Sequence, residues 1–451
     1  MGPSLTLLTW TLWSIAALVF GGGAWFAYAS WREAEVRATR VALIGAIIAA
    51  APFVAAALLP GTVQTPFGIG LLALTILALF ACIWPDRPEQ LPRRLEPVER
   101  IDERDIMFSR RELEPGSEKY ERYYRRHPGR REVDERWRAK PGLMGPGSRY
   151  EHPLGFASAE ATFRAVDALQ PFVEGEPEGE PRPRDPEAAR EFVCGWAREL
   201  GAVDAGVAQL NPRHVYTVGG RGERYDSPIQ LDHPFAIAFT VEMDYRMMQS
   251  APAAPTLMES AQQYLNAGSI AVQLAVAIRE MGYRARAHID GNYQVICPLV
   301  ARDAGLGEIG RMGLLMTPRH GPRVRIGVVT TDMPLAASPE DRTPAVEDFC
   351  RLCKKCAKVC PSQAIPYGDR GDRWRIDSEA CFTYWCEAGT DCGRCMIACP
   401  YAHPDSGVHR LVRGAIRRSP LLRRAAVALD DLAYGVRPKP KPLPEWMDSP
   451  D

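Results

Sequence analysis

Two cysteine groups near the C-terminus restrict the fold of this chain more than any other feature. The first is Cys350-x2-Cys353-x2-Cys356-x3-Cys360-Pro361. The second is Cys381, then Cys392-x2-Cys395-x3-Cys399-Pro400. These are the spacings of a module with two iron–sulfur cubanes. The tight CxxCxxC loop lets three thiolates grip one cubane. The x3 step then turns the fourth thiolate toward the other, and proline ends the turn. The expected assignment is therefore crossed: Cys350, Cys353, Cys356 and Cys399 for one [4Fe–4S] cluster, and Cys381, Cys392, Cys395 and Cys360 for the other. Zinc is the competing metal for CxxC pairs, but two CxxCxxxCP units favour clusters. Nine of the 12 cysteines fall between Cys350 and Cys399, which is not the spread of a disulfide scaffold. Cys386 competes with Cys381 as remote ligand. It is read, with Cys82, Cys194 and Cys297, as a non-ligand, since a buried free thiol behaves as a small hydrophobe. Two adjacent clusters form an electron wire, so the region before Cys350 must hold an acceptor.

The other end of the chain is apolar. Leu5–Ala29 (25 residues), Val41–Leu59 (19) and Phe67–Trp84 (18) contain no charge. Each is near the length a helix needs to cross a bilayer, and only helices or closed barrels satisfy backbone groups in lipid. Trp10, Trp13, Trp31 and Trp84 lie near the ends, where indoles favour the interface. A cleaved signal peptide fits badly, because no basic stretch precedes Leu5 and two further spans follow. Arg32, Arg37 and Arg40 follow the first span, Gly61–Pro66 has no cation, and Arg87, Arg93, Arg94 and Arg100 follow the third. The positive-inside rule then sets the N-terminus outside and everything after Trp84 in the cytoplasm. Arg110–Arg111 is no export signal, since no apolar run follows it. The expected location is a multi-pass inner-membrane protein in contact with lipid. Lys+Arg and Asp+Glu both number 55, which removes the electrostatic case for a nucleic-acid partner.

Between these ends the chain reads as mixed α/β. Pro85–Arg100 is a Pro-rich, charged linker. Ile101–Lys140, dense in Arg, Glu and Tyr, reads as surface-wrapping helix and coil. Glu174–Pro186 is a solvated loop. Ala236–Met243 and Arg325–Thr331 suit strands, and Leu265–Met281 has helical spacing ending at Gly282. Val408–Leu432 is a basic amphipathic stretch. It lies on an anionic leaflet or packs as a solvated helix on the domain. Four regions are expected: an anchor and linker over 1–95, a catalytic domain over 96–345, a cluster domain over 346–404 and a tail over 405–451.

Gly305-Leu-Gly307-Glu-Ile-Gly310 matches the GxGxxG pattern of dinucleotide sites, with Asp332 near the expected ribose position. A strand should precede it, yet Leu299–Ala304 reads as helical and no βαβ unit surrounds it. Gly305, Gly307 and Gly310 are read instead as positions that let the backbone approach a bulky group.

With these pieces in place the chain resembles the reductive dehalogenases. The resemblance rests on Ala304–Leu315 (AGLGEIGRMGLL), Gly321–Leu335 and Phe349–Pro361. It also rests on DERDIMFSR (Asp102–Arg110), YYRRHP (Tyr123–Pro128) and CPYAHPD (Cys399–Asp405). It covers nearly everything after the linker, and the order of motifs is more specific than any one of them. The epoxyqueuosine reductases share the AGLG-then-cysteine order but not the apolar spans or the Asp102–Pro128 motifs. The resemblance implies a nitroreductase-like α/β domain binding a corrinoid (cobalamin) base-off, fused to a bacterial double-[4Fe–4S] ferredoxin-like α+β domain. Cobalamin rests on this resemblance alone. The chain has no DxHxxG motif, so no histidine ligand to cobalt is implied. Many family members are exported and held by a separate small membrane protein. Three spans fused to the body depart from that pattern and put outward-facing catalysis in doubt.

The implied reaction replaces halide by hydrogen on a small organohalide, using two electrons and one proton. Tyr264 stands where the family has its proton-donating tyrosine. A phenol near pKa 10 needs a cation to act at neutral pH. Arg325 and Arg323 are the candidates for it, with Val328 as the competing alignment. Asn292 is the candidate substrate-side polar group and Asp290 its alternate. Electrons are expected from quinol or a membrane reductase, and a homodimer is left open. The competing readings are a corrinoid reductase of an epoxide-type substrate and a membrane electron carrier without catalysis. A bare carrier has no need of the large α/β region before Cys350.

Overall fold

The computed structural model describes residues 3–83, 99–339, 345–368 and 374–447. Trp84 and the linker expected over Pro85–Arg100 lie outside them, apart from Glu99 and Arg100. The chain forms two compact units. One holds the described parts of residues 1–90, 344–353 and 404–438, and the other holds the rest.

The first unit is built on three helices, Pro3–Arg32, Val36–Leu58 and Gly61–Ile83. All three are long and apolar enough to cross a membrane. Each exceeds the apolar run read from sequence by a turn or more, because flanking polar residues continue the helix. Gly61–Pro66 is not a loop: it forms the first turns of the third helix, with Pro66 inside the helix, where it offers no backbone donor to the carbonyl four residues earlier. Small residues bring the first two helices together. A Cβ on Gly23 would come within 2.5 Å of the Ala46 side chain, the close approach by which apolar helices gain van der Waals contact in lipid. Gln64, buried, donates to Thr9 Oγ1 (2.8 Å) and the Ala57 carbonyl (3.1 Å). The helix Ala345–Cys353, carrying Cys350 and Cys353, belongs to this unit. So do two C-terminal helices, Gly407–Arg418 and Pro420–Tyr434. The single amphipathic stretch expected over Val408–Leu432 is thus broken at Ser419–Pro420, where proline starts a new helix.

The second unit contains a four-stranded antiparallel sheet of order β1-β2-β6-β3. The strands are β1 (Asp204–Gln209), β2 (Phe235–Glu242), β3 (Ala285–His288) and β6 (Val324–Thr331). A separate hairpin pairs β4 (Glu308–Ile309) with β5 (Leu315–Met316). Alternation along β6 splits the core. Val329 faces the long helix Ala254–Glu280, in one cluster with Phe239, Ile270 and Leu274. Val328 faces the short helix Cys297–Asp303, with Ala236, Val300 and Ala301. Gly327 sits opposite Phe239. A Cβ there would come within 2.2 Å of the Phe239 ring, so the ring occupies space that any larger residue would claim.

The Arg- and Tyr-rich segment after Ile101 is not a surface wrap. Its helices Met107–Arg111, Glu118–Arg126 and Pro128–Arg138 bury Arg110, Tyr120, Tyr123, Tyr124 and Trp137. Arg110 is fully buried and meets Asp134, equally buried, at 2.8 Å. The Tyr124 hydroxyl also donates to Asp134 (2.5 Å). Charge density suggests a surface, but these charges neutralise one another inside the unit.

Candidate functional site

A cavity of about 600 Å³ opens inside the second unit, within the size range of small-molecule and cofactor sites. Its wall is largely apolar, with Leu257, Val295, Ile296, Leu314 and Ile326 among the lining residues. Its polar lining groups include Tyr264, Ser260, Arg325, Asp391, Tyr293, Asp290 and Arg221.

Tyr264 sits on the third turn of the long helix, not before it. The helix begins at Ala254, behind Pro255 in its first turn. Ser260 lies four residues earlier and so on the same face. Arg325, on β6 opposite Val241, points to that face. Its guanidinium carbon stands 4.9 Å from the centre of the Tyr264 ring. It donates to Ser260 Oγ (2.6 Å) and to Asp391 Oδ2 (2.8 Å). The Ser260 hydroxyl also donates to Asp391, closing a triangle that fixes the guanidinium. Burial works against the Arg325 charge, but Tyr264, Asp391 and Tyr293 more than offset it and hold the group above its ordinary value. Burial pushes the Tyr264 phenol up, and Arg325 only partly opposes this. The phenol therefore keeps its proton at neutral pH beside a fixed cation that favours the phenolate. The cation expected beside it is present, but it does not bring the phenol below its ordinary value.

The other expected residues fall in different places. Arg323 is fully buried and donates to Glu242 Oε1 (2.7 Å) and the Ala402 carbonyl (2.9 Å). It precedes β6, in a loop where its backbone bonds His320 (3.1 Å), and it does not line the cavity. Val328 is on the opposite face of the sheet from Tyr264. Asn292 accepts from Arg286 (2.6 Å) and donates to Gln170 (2.9 Å), holding a turn rather than the cavity wall. Its alternate Asp290 does line the cavity, where burial raises its carboxyl despite the nearby Arg221. Gly305 and Gly307 have φ of +82° and +156°. A Cβ on Gly307 would lie 2.3 Å from the Met316 carbonyl oxygen. The Gly310 amide bonds the Leu314 carbonyl (2.9 Å). Gly307 thus approaches the chain's own hairpin, whereas a Cβ on Gly305 would lie 2.8 Å from the Pro339 carbonyl oxygen. Asp391, Ser260 and Tyr293 are groups that reading the sequence did not single out.

The cysteine segment is built from two short helices that pack together, Lys355–Val359 and Arg394–Ile397. Each follows a left-handed residue, Lys354 (φ 58°) and Gly393 (φ 66°), at the same place in its CxxC loop. A Cβ on Gly393 would meet Thr256 Cγ2 at 2.7 Å. Cys360, Cys381, Cys392 and Cys395 share one neighbourhood. Burial, reinforced by charge on neighbouring thiols, pushes Cys381 up to about 11 and Cys395 well above its ordinary value. Cys392 is pushed up to about 12 by burial, with Cys381 and Cys360 adding to it. Four soft thiols that oppose one another's ionisation suit an iron cluster, which supplies the positive charge that ligand thiolates need. Cys386 lies elsewhere, in an apolar cluster with Trp137 and Phe382. Asp391 and Met396, beside Cys392 and Cys395 in sequence, both line the cavity. Cys297 is on its wall, pushed up to about 12 by burial. Among the described residues that line the cavity there is no histidine.

Residues 349–403 match a 4Fe-4S dicluster domain. The tetrachloroethene reductive dehalogenase of Desulfitobacterium hafniense is 36% identical over 211 residues, 43% of this chain and 38% of the relative. That of Sulfurospirillum multivorans is 32% identical over 299 residues, 57% of this chain and 59% of the relative. The match therefore spans between about two fifths and three fifths of these relatives. The catabolic reductive dehalogenase NpRdhA superposes with a TM-score of 0.62 at 26% identity, covering 78% of this chain and 49% of that one. Weaker sequence similarity extends to epoxyqueuosine reductases. In sequence and in fold, the chain is a homologue of the reductive dehalogenases, with three apolar N-terminal helices and a C-terminal 4Fe-4S dicluster domain.

Proposed function

We propose that the chain is a membrane-anchored reductive dehalogenase dependent on a corrinoid and two [4Fe–4S] clusters. The reaction is R–X + 2e⁻ + H⁺ → R–H + X⁻. One observation carries the reading: a phenol under a fixed guanidinium faces a cavity whose wall includes the sequence neighbours of two cluster cysteines. A bare electron carrier gives no reason for such a cavity.

The corrinoid finds support in the largely apolar wall of the cavity. The apolar side chains Val295, Ile296, Leu314 and Ile326 would pack against it. When bound, it supplies the reduced metal centre that cleaves the carbon–halogen bond. Tyr264 delivers the proton from its hydroxyl oxygen. Arg325 stabilises the phenolate so formed, and Ser260 and Asp391 hold Arg325 in place. The apolar wall limits the access of water, and among the protonated groups on it Tyr264 is the one set under a guanidinium. Cys350, Cys353, Cys356 and Cys399 hold one cluster, and Cys381, Cys392, Cys395 and Cys360 the other. A relative's structure carries 3-bromo-4-hydroxybenzoic acid, and a halogenated aromatic of that size is a substrate class this cavity volume admits.

The domain reading is an anchor over 1–95, a corrinoid-binding body over 96–345, a cluster domain over 346–404 and a tail over 405–451. The N-terminus lies outside and the body in the cytoplasm, supported by Arg32, Arg37 and Arg40 gathering at one end of the first two spans. Electrons enter from quinol or a membrane reductase.

The test is anaerobic reconstitution with cobalamin, iron and sulfide, followed by halide release from aryl and alkyl halides. Tyr264→Phe should reduce release to a small residual rate while leaving the cobalt spectrum unchanged. Full activity in that variant, or no cobalt retained by the wild type, would overturn the proposal.

A further inference from the structure

The two C-terminal helices pack at one end of the membrane helices. His409 Nε2 meets Glu33, in the short link between the first two spans, at 3.1 Å, and both are buried. Arg37 Nε donates to the Leu432 carbonyl (3.0 Å). Phe26 sets its ring edge-on to His409 at 6.0 Å, and Trp25 closes on Gly407. The helices are thus held at the level where the first span ends and the second begins. Exposed Tyr28 and Trp31 mark that level as interfacial, since amphipathic rings favour the headgroup region.

The outer faces of these helices are left apolar. Leu421, Ala425, Leu429 and Leu432 form an exposed stripe at helical spacing, and exposed Val436 follows the helix end. Leu429 is 63% exposed and Leu432 54%. Leu411 continues it on the preceding helix at 65%. Around the stripe, Arg410, Arg417, Arg418 and Arg424 are exposed. Residues 405–438 carry seven arginines against three aspartates. An apolar stripe edged by cations has the pattern of an interfacial helix on an anionic surface. Here it is continuous with helices of membrane-spanning length.

The geometry points to the outer face of Gly407–Tyr434 as a lipid-binding surface that lies on an anionic phospholipid leaflet. The leucines enter the acyl boundary and the arginines pair with headgroup phosphates. The tail is then a second, monotopic contact with the bilayer beyond the three spans. It does not depend on the reaction the second unit performs.

Full-length holoprotein in nanodiscs tests this, made either of phosphatidylcholine alone or with a third phosphatidylglycerol. A photo-crosslinking amino acid at Leu429 or Leu421 should yield phospholipid adducts by mass spectrometry. The same probe at Phe192, exposed in the second unit, should yield none. In the mixed nanodiscs, phosphatidylglycerol should be enriched among the adducts. Arg417→Gln and Arg424→Gln should each lower that enrichment about fivefold, with cluster iron content unchanged. Adducts to a second copy of the chain, or a lipid yield no greater than at Phe192, would overturn the inference.

Discussion

Replacing Arg325 with glutamine removes the cation over Tyr264 and leaves the phenol with its proton. The loss can be worked from the geometry. The guanidinium carbon is 4.9 Å from the ring centre. Two unit charges about 5 Å apart at an effective dielectric of about 20 attract by about 3 kcal/mol. If Arg325 acts by stabilising the phenolate, its removal slows the proton step by roughly two orders of magnitude. The substitution also leaves the Asp391 carboxylate without its partner, which costs about 3–5 kcal/mol of stability in a buried pair. Arg325→Gln is therefore made together with Asp391→Asn, and iron content is checked because Asp391 adjoins Cys392. The assay is single-turnover halide release by the holoenzyme reduced with a low-potential artificial donor. In the Tyr264→Phe background the same change should lower the residual rate by no more than about threefold, since groups acting as one unit are not additive. Independent losses that multiply, or a wild-type rate without Arg325, would refute the assignment of Arg325 to the proton step.

Cys381→Ser should halve the iron bound per chain and remove one cluster signal by electron paramagnetic resonance, whereas Cys386→Ser, set among Trp137 and Phe382, should leave iron content unchanged. Burial would raise the Glu242 carboxyl, yet His320 and Arg323 bring it down to about 2 from the usual 4.5. Its charged form is therefore favoured by folding: the stabilisation is complete above pH 4.5 and is lost as pH falls through 2. Thermal melts should show Glu242→Gln less stable than wild type at pH 6, with the gap closing below pH 4.5; a gap that does not change with pH would sink this reading.

The elements legible in the sequence are those with one dominant period. Ala236–Met243 and Arg325–Thr331 fall within a residue of β2 and β6 because β-branched and aromatic residues run through both. The three spans are legible because an uncharged apolar stretch of about 20 residues matches the thickness of a bilayer and exceeds what a buried core helix needs. The long helix starts eleven residues before its apolar periodicity does, for the opposite reason. Its first turns hold Glu259, Ser260 and Gln263, polar positions that hydrophobic periodicity treats as outward. Glu259 is buried and accepts from the Asp244 amide (2.7 Å) and Gln263 (2.9 Å). A polar side chain satisfied by a distant partner is invisible to a pattern that sorts residues by polarity. The GxGxxG match is uninformative in the same way: a glycine spacing records tight backbone but not what approaches it, which here is Met316.

The choice between Arg323 and Arg325 turns on a single residue of strand boundary. Two residues apart within a strand share a face, so both arginines would face Tyr264 if the strand began earlier. It begins at Val324. Arg323 is released into the preceding loop and runs to Glu242 and Ala402. Boundaries are where local sequence is least informative, because the last ladder bond depends on the partner strand as much as on the residue itself. The partner of Arg325 is harder still to read. Asp391 lies 66 positions away, and Ser260 65 positions in the other direction. No local spacing encodes a triangle assembled from a helix, a strand and a cluster loop. Its one trace in the sequence is an aspartate directly before Cys392. A carboxylate beside a ligand of an anionic cluster adds negative charge where charge is already costly, unless a cation is held against it. That requirement leads from Asp391 to a nearby cation, which in the fold is Arg325 at 2.8 Å.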